Sequence, residues 1–468
     1  MTADLGGPTD GSTIPAEVFR AYDIRGIYGD QLDEENVRLI GQAIGSEALD
    51  LEIDTLLVGR DGRLSSPGLC RSLIAGVRAS GCNVLDLGLV PTPLVYFATH
   101  TTDWSSGVML TASHNPARYN GVKIVFHRSC LAANQIQDIR RRIEAGQLHR
   151  GTGSYRTLSI LEDYIRRVSG DLHLARKLRL VIDCGNAVTG LVAPALFTAL
   201  GCEVETLYCD LDGSFPNHQP DPTIAENLQD LQQRVIASGA DLGLAFDGDG
   251  DRLGVVTSDG QAIDTDLLLA TLIEDITPRH PGEAVIFDVK CSSRLAGLIT
   301  ACGGIPVMHK SGHSFMKQKM QETGAPLGGE FSAHIFIRDR WFGYDDGMYT
   351  GARLLEILAR REGPTAQQIT SLGTRVATPE IAIPVAEPAK FALMEKLLAM
   401  ASFDNGVVNH IDGLRVDFND GWGLVRASNT SPALLLRFEA DSAASLQHIQ
   451  DAFRDLLQQA DNSLPIQF

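Results

Sequence analysis

The feature that most constrains the fold is a plan that recurs three times: an apolar strand, a polar loop, a helix with apolar periodicity ending at glycine, and a second strand. The first copy is Thr55-Leu-Leu-Val-Gly59, a helix from about Pro67 to Ala79 closed by Gly81, and Asn83-Val-Leu-Asp-Leu87. The second is Leu178-Arg-Leu-Val-Ile-Asp183, a helix from about Leu191 to Leu200 closed by Gly201, and Glu203 to Tyr208. The third is Ala284-Val-Ile-Phe-Asp288, a helix from about Ser292 to Ala301 closed by Gly303 and Gly304, and Ile305 to Met308. Glycine directly after a helix supplies the left-handed closing residue, so its return to one slot marks related folding units. Short buried strands joined by helices imply mostly parallel sheets covered on both faces.

After Arg375 the pattern changes. A helix from about Phe391 to Met400 precedes the strands Val407 to His410, Leu414 to Phe418, Gly423 to Arg426 and Ala433 to Glu439, and a helix from Ser442 to Gln459 follows them. Turn residues Asp412-Gly413 and Asn419-Asp420-Gly421 between these strands predict an antiparallel meander. The expected class is therefore α/β, with three related α/β domains of mixed, mostly parallel sheets and a C-terminal α+β domain. The expected segments are 1–155, 156–260, 261–372 and 373–468 of the 468-residue chain.

The formal net charge is −18, with no long Lys/Arg run, so the chain lacks the electrostatic footprint of a nucleic-acid or anionic-membrane binder. An anionic ligand must then be met by a locally basic cleft. No apolar run approaches the ~18 residues of a spanning helix, and Met1 to Thr13 has neither a basic start nor an apolar core, so it does not read as a signal peptide. Eight scattered cysteines without a Cys-x-x-Cys pair read as reduced, packed thiols of a cytoplasmic protein.

The sharpest local signal is Asp247-Gly-Asp-Gly-Asp-Arg252, between the apolar strands Asp241 to Phe246 and Leu253 to Thr257. Its three carboxylates repel one another, and the interleaved glycines let the backbone curl until all converge on one hard divalent cation, Mg²⁺ being the natural choice. A solvated acidic turn is the alternative, and the buried strands on both sides weigh against it. An EF-hand loop would need Gly at its sixth position and Glu at its twelfth, where this chain has Arg252 and Ser258.

Other segments are weaker alone. Thr111-Ala-Ser-His-Asn-Pro116 follows the strand Gly107-Val-Met-Leu110 and precedes Asn120-Gly-Val-Lys123. Its serine, held at a strand end beside a histidine, is a nucleophile candidate, yet an ordinary polar turn describes the isolated segment better, because no Gly-x-Ser-x-Gly elbow is present. Arg25, Arg60, Arg63 and Lys290 are phosphate-binding candidates, although each by itself is more often a solvated charge. Ser311-Gly-His-Ser314 opens a predicted helix whose free amides favour an anion. Glu330, Ser332 and His334 alternate along a predicted strand and would share one face suited to sugar hydroxyls; a core-facing strand is the alternative, which a glutamate makes less fitting. Arg426-Ala-Ser-Asn-Thr430, between two strands, offers a guanidinium, hydroxyls and amides to a phosphate, and a plain hairpin loop fits it equally well.

Together and in this order, these motifs resemble the α-D-phosphohexomutase superfamily, and within it the bacterial phosphomannomutase/phosphoglucomutase family, from about Pro15 to Phe468. Phe19-Arg-Ala-Tyr-Asp-Ile-Arg-Gly26 is similar to the family's N-terminal signature, and in the sugar-recognition motif Gly329-Glu-Phe-Ser-Ala-His334 the chain departs at Ala333, where many members carry Gly. The resemblance implies four domains around a central cleft, each contributing one loop. It implies that Ser113 carries a phosphoryl group, and that Asp247, Asp249 and Asp251 hold Mg²⁺ together with an oxygen of that phosphoserine. Arg252 would track the phosphoryl group, and Arg25, His114, Lys123 and His334 are the unranked candidates for proton transfer or charge stabilisation. Arg426, Ser428, Asn429 and Thr430 would grip the phosphate that is not reacting. Glu330 and Ser332 would hold sugar hydroxyls, with Lys290 and His313 lining the sugar region and Tyr22 near the ligand. The implied reaction isomerises mannose or glucose 1-phosphate and 6-phosphate through a hexose 1,6-bisphosphate, in a monomer with no nucleic-acid or membrane partner and a C-terminal domain hinged near residue 370. A phosphoglucosamine mutase is the same-fold alternative, which Phe331 and Ala333 fit less well; a serine- and Mg²⁺-dependent phosphatase and a non-catalytic binding protein are the others.

Overall fold

The three repeated segments build sheets of one common strand order. In the computed structural model, which describes residues 14–373, 375–428, 432–466 and 468, the two strands of each repeat lie side by side in parallel. Thr55–Arg60 pairs with Asn83–Leu89, Arg179–Asp183 with Glu203–Leu207, and Ala284–Asp288 with Ile305–His309. On its other side each first strand pairs, again in parallel, with one arm of a hairpin: Gly107–Leu110, Leu242–Phe246 or Leu327–Gly329. The second arm, Tyr119–Phe126, Leu253–Thr257 or Ile335–Ile337, returns antiparallel. Each sheet is thus parallel at its centre and antiparallel on the hairpin side. The first is widened by Ile24–Ile27, Ser129–Cys130 and Tyr155–Thr157, and the second by Ala262–Ile263.

The closing glycines behave as their position predicts. Gly81, Gly201 and Gly303 have φ of 106°, 90° and 88°, a region closed to most side chains. Some helix starts move. The helix expected from Leu191 is a 3₁₀ turn, Val188–Leu191, followed by Ala193–Ala199, because Pro194 suits only a first turn. The helix expected from Ser292 runs Arg294–Ala301.

The C-terminal sheet is antiparallel throughout, a meander of Val407–Asn409, Leu414–Phe418, Gly421–Ala427 and Ala433–Ala440. Gly421 belongs to its strand rather than to the preceding turn. Two short strands on the far side of Ala433–Ala440, Val376–Ala377 and Ile381–Pro384, carry too little periodicity to be visible in the sequence. The helices Glu387–Met400 and Ala443–Ala460 cover this sheet, and Ser442 caps the second through the amide of Ser445.

One apolar core runs continuously through the first three sheets, from Leu57 to Leu372, while the C-terminal sheet and its helices enclose a separate core around Leu414, Val425, Phe438 and Phe453. Among the described residues no helix is long and apolar enough to cross a membrane. The architecture has one consequence for chemistry: residues 111–118, 247–252 and 330–334 are hairpin connections, one in each of the first three sheets, and Arg426 and Ser428 lie at the matching end of the strand Gly421–Ala427 in the fourth.

Candidate active site

The serine loop is built from beneath by a buried arginine. Arg63 donates through Nη2 to the carbonyls of Ser113 and Asn115, both at 2.6 Å, through Nη1 to those of Pro116 and Tyr119 at 2.7 and 3.2 Å, and through Nε to Asp61 at 3.0 Å. Every nitrogen is spent on the chain itself, which corrects its reading as a phosphate ligand; Arg60 lies outside the cavity lining as well. The clamp holds Ser113 at φ 50°, a conformation costly for a side-chain-bearing residue, and the Ser113 amide donates to Thr111 Oγ1 at 2.9 Å. Ser113 Oγ then faces the metal loop, donating to Asp247 Oδ2 at 2.7 Å with His114 Nδ1 at 3.2 Å. The two loops approach so closely that a Cβ on Gly248 would lie 2.2 Å from the Ser113 carbonyl oxygen.

Asp247, Asp249 and Asp251 are fully buried and converge, with an oxygen of each within 4.8 Å of the others. Asp247 Oδ1 accepts the amides of Gly250 and Arg252 at 3.0 and 3.2 Å. Lys123 Nζ donates to Asp249 Oδ2 at 2.7 Å and Asp251 Oδ2 at 2.6 Å, and these two carboxylates hold its pKa above the usual lysine range although burial opposes it. Asp249 Oδ1 and Asp251 Oδ1 remain buried without a partner, and burial together with the two neighbouring carboxylates pushes Asp247 well above the usual range. Unpaired buried carboxylate oxygens are costly. A hard divalent cation satisfies them all, so the residues fit one.

Glu330, Ser332 and His334 do not lie along a strand. They occupy the tight turn between Leu327–Gly329 and Ile335–Ile337, where Glu330 N donates to the His334 carbonyl at 2.8 Å and Ala333 N to the Glu330 carbonyl at 3.1 Å. Ala333 has φ 71°, which explains why glycine suits this position. The turn places Glu330 and His334 inward by closing the backbone rather than by alternation. Arg252 Nε donates to His334 Nε2 at 3.1 Å, leaving Nδ1 3.0 Å from Asp345 Oδ2, so metal loop and sugar loop are tied together. The helix His313–Thr323 does begin where expected, but the amides ahead of it are taken: Ser311 N donates to Asp412 at 3.1 Å and Gly312 N to Glu330 Oε1 at 2.6 Å. These two meet the chain's own carboxylates, which corrects the reading of the segment as an anion site for Ser311 N and Gly312 N.

In the fourth loop Arg426 Nε donates to Asp412 Oδ2 at 2.8 Å while its buried Nη2 has no partner among the described residues, and Lys390 Nζ donates to the carbonyl of the buried Ser428 at 2.7 Å. Asn429 and Thr430 lie outside the described residues.

These parts meet in one cavity of about 640 Å³, lined by Tyr22, Arg25, Ser113, His114, Lys123, Arg252, Lys290, His313, Glu330, Ser332, His334, Arg426 and Ser428, with the aspartates beneath. Five cations on this wall make the basic cleft that an acidic chain needs to receive an anion. His313 is buried there and His114 half-buried, and both are pushed well below the ordinary histidine range, first by loss of solvent and then by Arg252 beside His114 and Lys317 beside His313. Sequence reasoning missed Asn115, Asp221, Thr223, Pro379, Glu380 and Leu435 in the lining. Asp221 lies 3.9 Å from His114 Nε2 and caps its own turn through Thr223, a pattern that reads locally as an ordinary turn. Glu380, 3.4 Å from Lys290, directly precedes the short strand Ile381–Pro384, which the sequence does not reveal.

Four family models match the chain in order: phosphoglucomutase/phosphomannomutase alpha/beta/alpha domain I over residues 16–150, domain II over 162–260, domain III over 264–375 and the C-terminal domain over 380–456. A phosphomannomutase/phosphoglucomutase of Pseudomonas aeruginosa is 52% identical over 97% of this chain and 98% of its own length. A phosphoglucomutase of Neisseria meningitidis is 44% identical over 96% and 99%. The crystal structure of a phosphoglucomutase/phosphomannomutase family protein from Burkholderia thailandensis superposes with a TM-score of 0.93 at 48% identity, covering 97% of this chain and all of that one. With the four domains present in order and about half of the residues shared from end to end, the chain belongs to the phosphoglucomutase/phosphomannomutase family.

Proposed function

We propose that this enzyme moves a phosphoryl group reversibly between O1 and O6 of glucose and mannose phosphates, through a phosphoserine at Ser113 and a hexose 1,6-bisphosphate. The observation that carries the reading is the placement of one hydroxyl nucleophile, Ser113 Oγ, 2.7 Å from a buried carboxylate trio in a cavity whose other walls hold separate cations. One end of the ligand reacts while the other is gripped elsewhere, as an isomerisation that uses both ends requires.

Asp247, Asp249 and Asp251 would hold Mg²⁺ with an oxygen of the Ser113 phosphate; when bound, the cation supplies charge neutralisation to the phosphoryl oxygens. Arg25, Lys123 and Arg252 line the same wall, and their charges stabilise the group in transit. His334 Nε2 accepts a hydrogen bond from Arg252, so its lone pair becomes available to a sugar proton when Arg252 turns to the phosphoryl group, and His114 Nδ1 lies beside Ser113 Oγ; these two nitrogens are the bases for the sugar and serine protons. Arg426, Ser428, Asn429 and Thr430 grip the distal phosphate. Glu330 and Ser332 hold hydroxyls that exchange places when the bisphosphate turns around, with Tyr22, Lys290 and His313 beside the sugar. Segments 1–155, 156–260, 261–372 and 373–468 each supply one loop, and rotation of the last about residue 370 shields the phosphoserine from water. The enzyme works as a cytoplasmic monomer, activated by hexose 1,6-bisphosphate.

A ³¹P NMR time course with Mg²⁺ and catalytic glucose 1,6-bisphosphate tests this, with glucose 1-phosphate, mannose 1-phosphate and glucosamine 1-phosphate in separate tubes. Conversion of the first two to 6-phosphates is the expected result. Release of inorganic phosphate without isomerisation would overturn it in favour of a phosphatase, and preference for glucosamine 1-phosphate would reassign the sugar.

A further inference from the structure

A pair of thiols lies outside the cavity lining. Cys184 follows the strand Arg179–Asp183 and Cys209 follows its parallel neighbour Glu203–Leu207, which runs in register Asp183 with Leu207. Both pack against the same apolar core, and their sulfurs are 3.4 Å apart. Cys184 is fully buried, whereas Cys209 is partly exposed, so one of the two is open to a small oxidant. Among the described residues the other six thiols have no sulfur partner.

The loops leaving these two strand ends support the active site directly. Asn186, two residues past Cys184, donates to the Asp210 carbonyl at 2.8 Å, binding the two loops together. Thr189 Oγ1 reaches the Asp247 carbonyl at 3.4 Å, and Gly248 N donates to the Pro220 carbonyl at 3.1 Å. Gln219 Nε2 donates to the His114 carbonyl at 2.6 Å. Serine loop and metal loop therefore both rest on chain that starts at Cys184 or Cys209.

We propose that Cys184 and Cys209 form a reversible disulfide with hydrogen peroxide as oxidant, and that closing it displaces the loops beneath Ser113 and Asp247 and slows the reaction. The Cys209 thiolate attacks the O–O bond, giving a sulfenic acid and hydroxide, which takes up a proton to become water. The Cys184 thiol loses its proton and attacks that sulfur; the S–S bond forms, the S–O bond breaks, and the hydroxyl leaves as a second water. Two electrons pass from the sulfur pair to peroxide. The bond length of about 2.04 Å requires the sulfurs to close by about 1.4 Å. A displacement near 1 Å in a reacting constellation costs about 10²-fold in rate, so the oxidised enzyme should lose at least tenfold.

The test treats the full-length protein with hydrogen peroxide and reads two signals. Peptide mapping should find a Cys184–Cys209 linked peptide that dithiothreitol separates, while Cys184→Ala should stop at a dimedone-reactive sulfenic acid on Cys209. Isomerisation of glucose 1-phosphate should fall at least tenfold and recover with dithiothreitol, and in Cys209→Ser it should fall less than twofold. Absence of the linked peptide while exposed thiols are oxidised overturns the proposal. Linkage with unchanged activity overturns its coupling to the site. Only the second signal rests on the proposed mutase reaction, so failure of that reaction leaves the mass result to stand or fall alone.

Discussion

Replacing Arg63 by lysine separates a structural clamp from a phosphate ligand. The guanidinium makes five hydrogen bonds to the chain, to Asp61 and to the carbonyls of Ser113, Asn115, Pro116 and Tyr119. An ammonium has three donors on one nitrogen, so Arg63→Lys leaves at least two of these acceptors unpaired in a site that is 1% exposed. Each unpaired buried acceptor costs about 1–3 kcal/mol, which sums to roughly 2–6 kcal/mol. Ser113 is held at φ 50° by the same bonds, so the loss also lets its hydroxyl drift from Asp247. The unfolding midpoint in urea should fall accordingly, and kcat for glucose 1-phosphate should drop about tenfold or more. KM should change less than threefold, because no Arg63 donor reaches the cavity. A tenfold rise in KM with kcat and the midpoint unchanged would refute the clamp and restore Arg63 as a ligand of substrate.

Further outcomes follow from the same geometry. Ser113→Ala should abolish both isomerisation and ³²P labelling of the chain from glucose 1,6-bisphosphate, while circular dichroism should find it folded and less stable than the parent by about 1–3 kcal/mol, the cost of leaving the buried Asp247 oxygen without its donor. Mg²⁺ added to chelator-treated protein should raise Tm, by an amount equivalent to about 2.7 kcal/mol at a hundredfold excess over Kd; calorimetry on Asp249→Asn should show that increment gone. Asp346, buried at the start of the helix Gly347–Arg360 and bonded to Tyr164 and Tyr349, is pushed from 3.8 up to about 7, chiefly by burial. Because its folded pKa is raised, its contribution is present in full below about pH 4 and is lost as pH rises through 7, a swing of about 4 kcal/mol. Asp346→Asn should flatten the fall of Tm between pH 4 and 7; an unchanged profile would assign that fall to other groups.

The metal loop was legible because its chemistry is local. Three aspartates and two glycines in consecutive positions between buried strands have few other uses, and the same backbone that bears them brings them together. The helix-closing glycines were legible for a similar reason, since the left-handed residue is a neighbour of the helix it ends. Glu330, Ser332 and His334 show where local reasoning fails. Alternation in a five-residue window fits a strand and a tight turn alike, and only the pairing of Leu327–Gly329 with Ile335–Ile337 decides between them. Arg63 shows the same limit for a charge: its sequence neighbours name one partner, Asp61, whereas its four carbonyl partners lie some 50 residues away.

Periodicity, turn residues and short motifs act over a few residues, and they alone determined the repeated strand–helix–strand plan, the antiparallel C-terminal meander and the acidic trio. Which hairpin faces which, and therefore that Ser113 meets Asp247 and Arg252 meets His334, was decided by the continuous core that locks the first three sheets together, while the pairing of two strands within the second sheet brought Cys184 to Cys209. Contacts between residues more than 80 positions apart carry no trace in local composition, because their energy comes from burial shared among whole sheets rather than from any one segment.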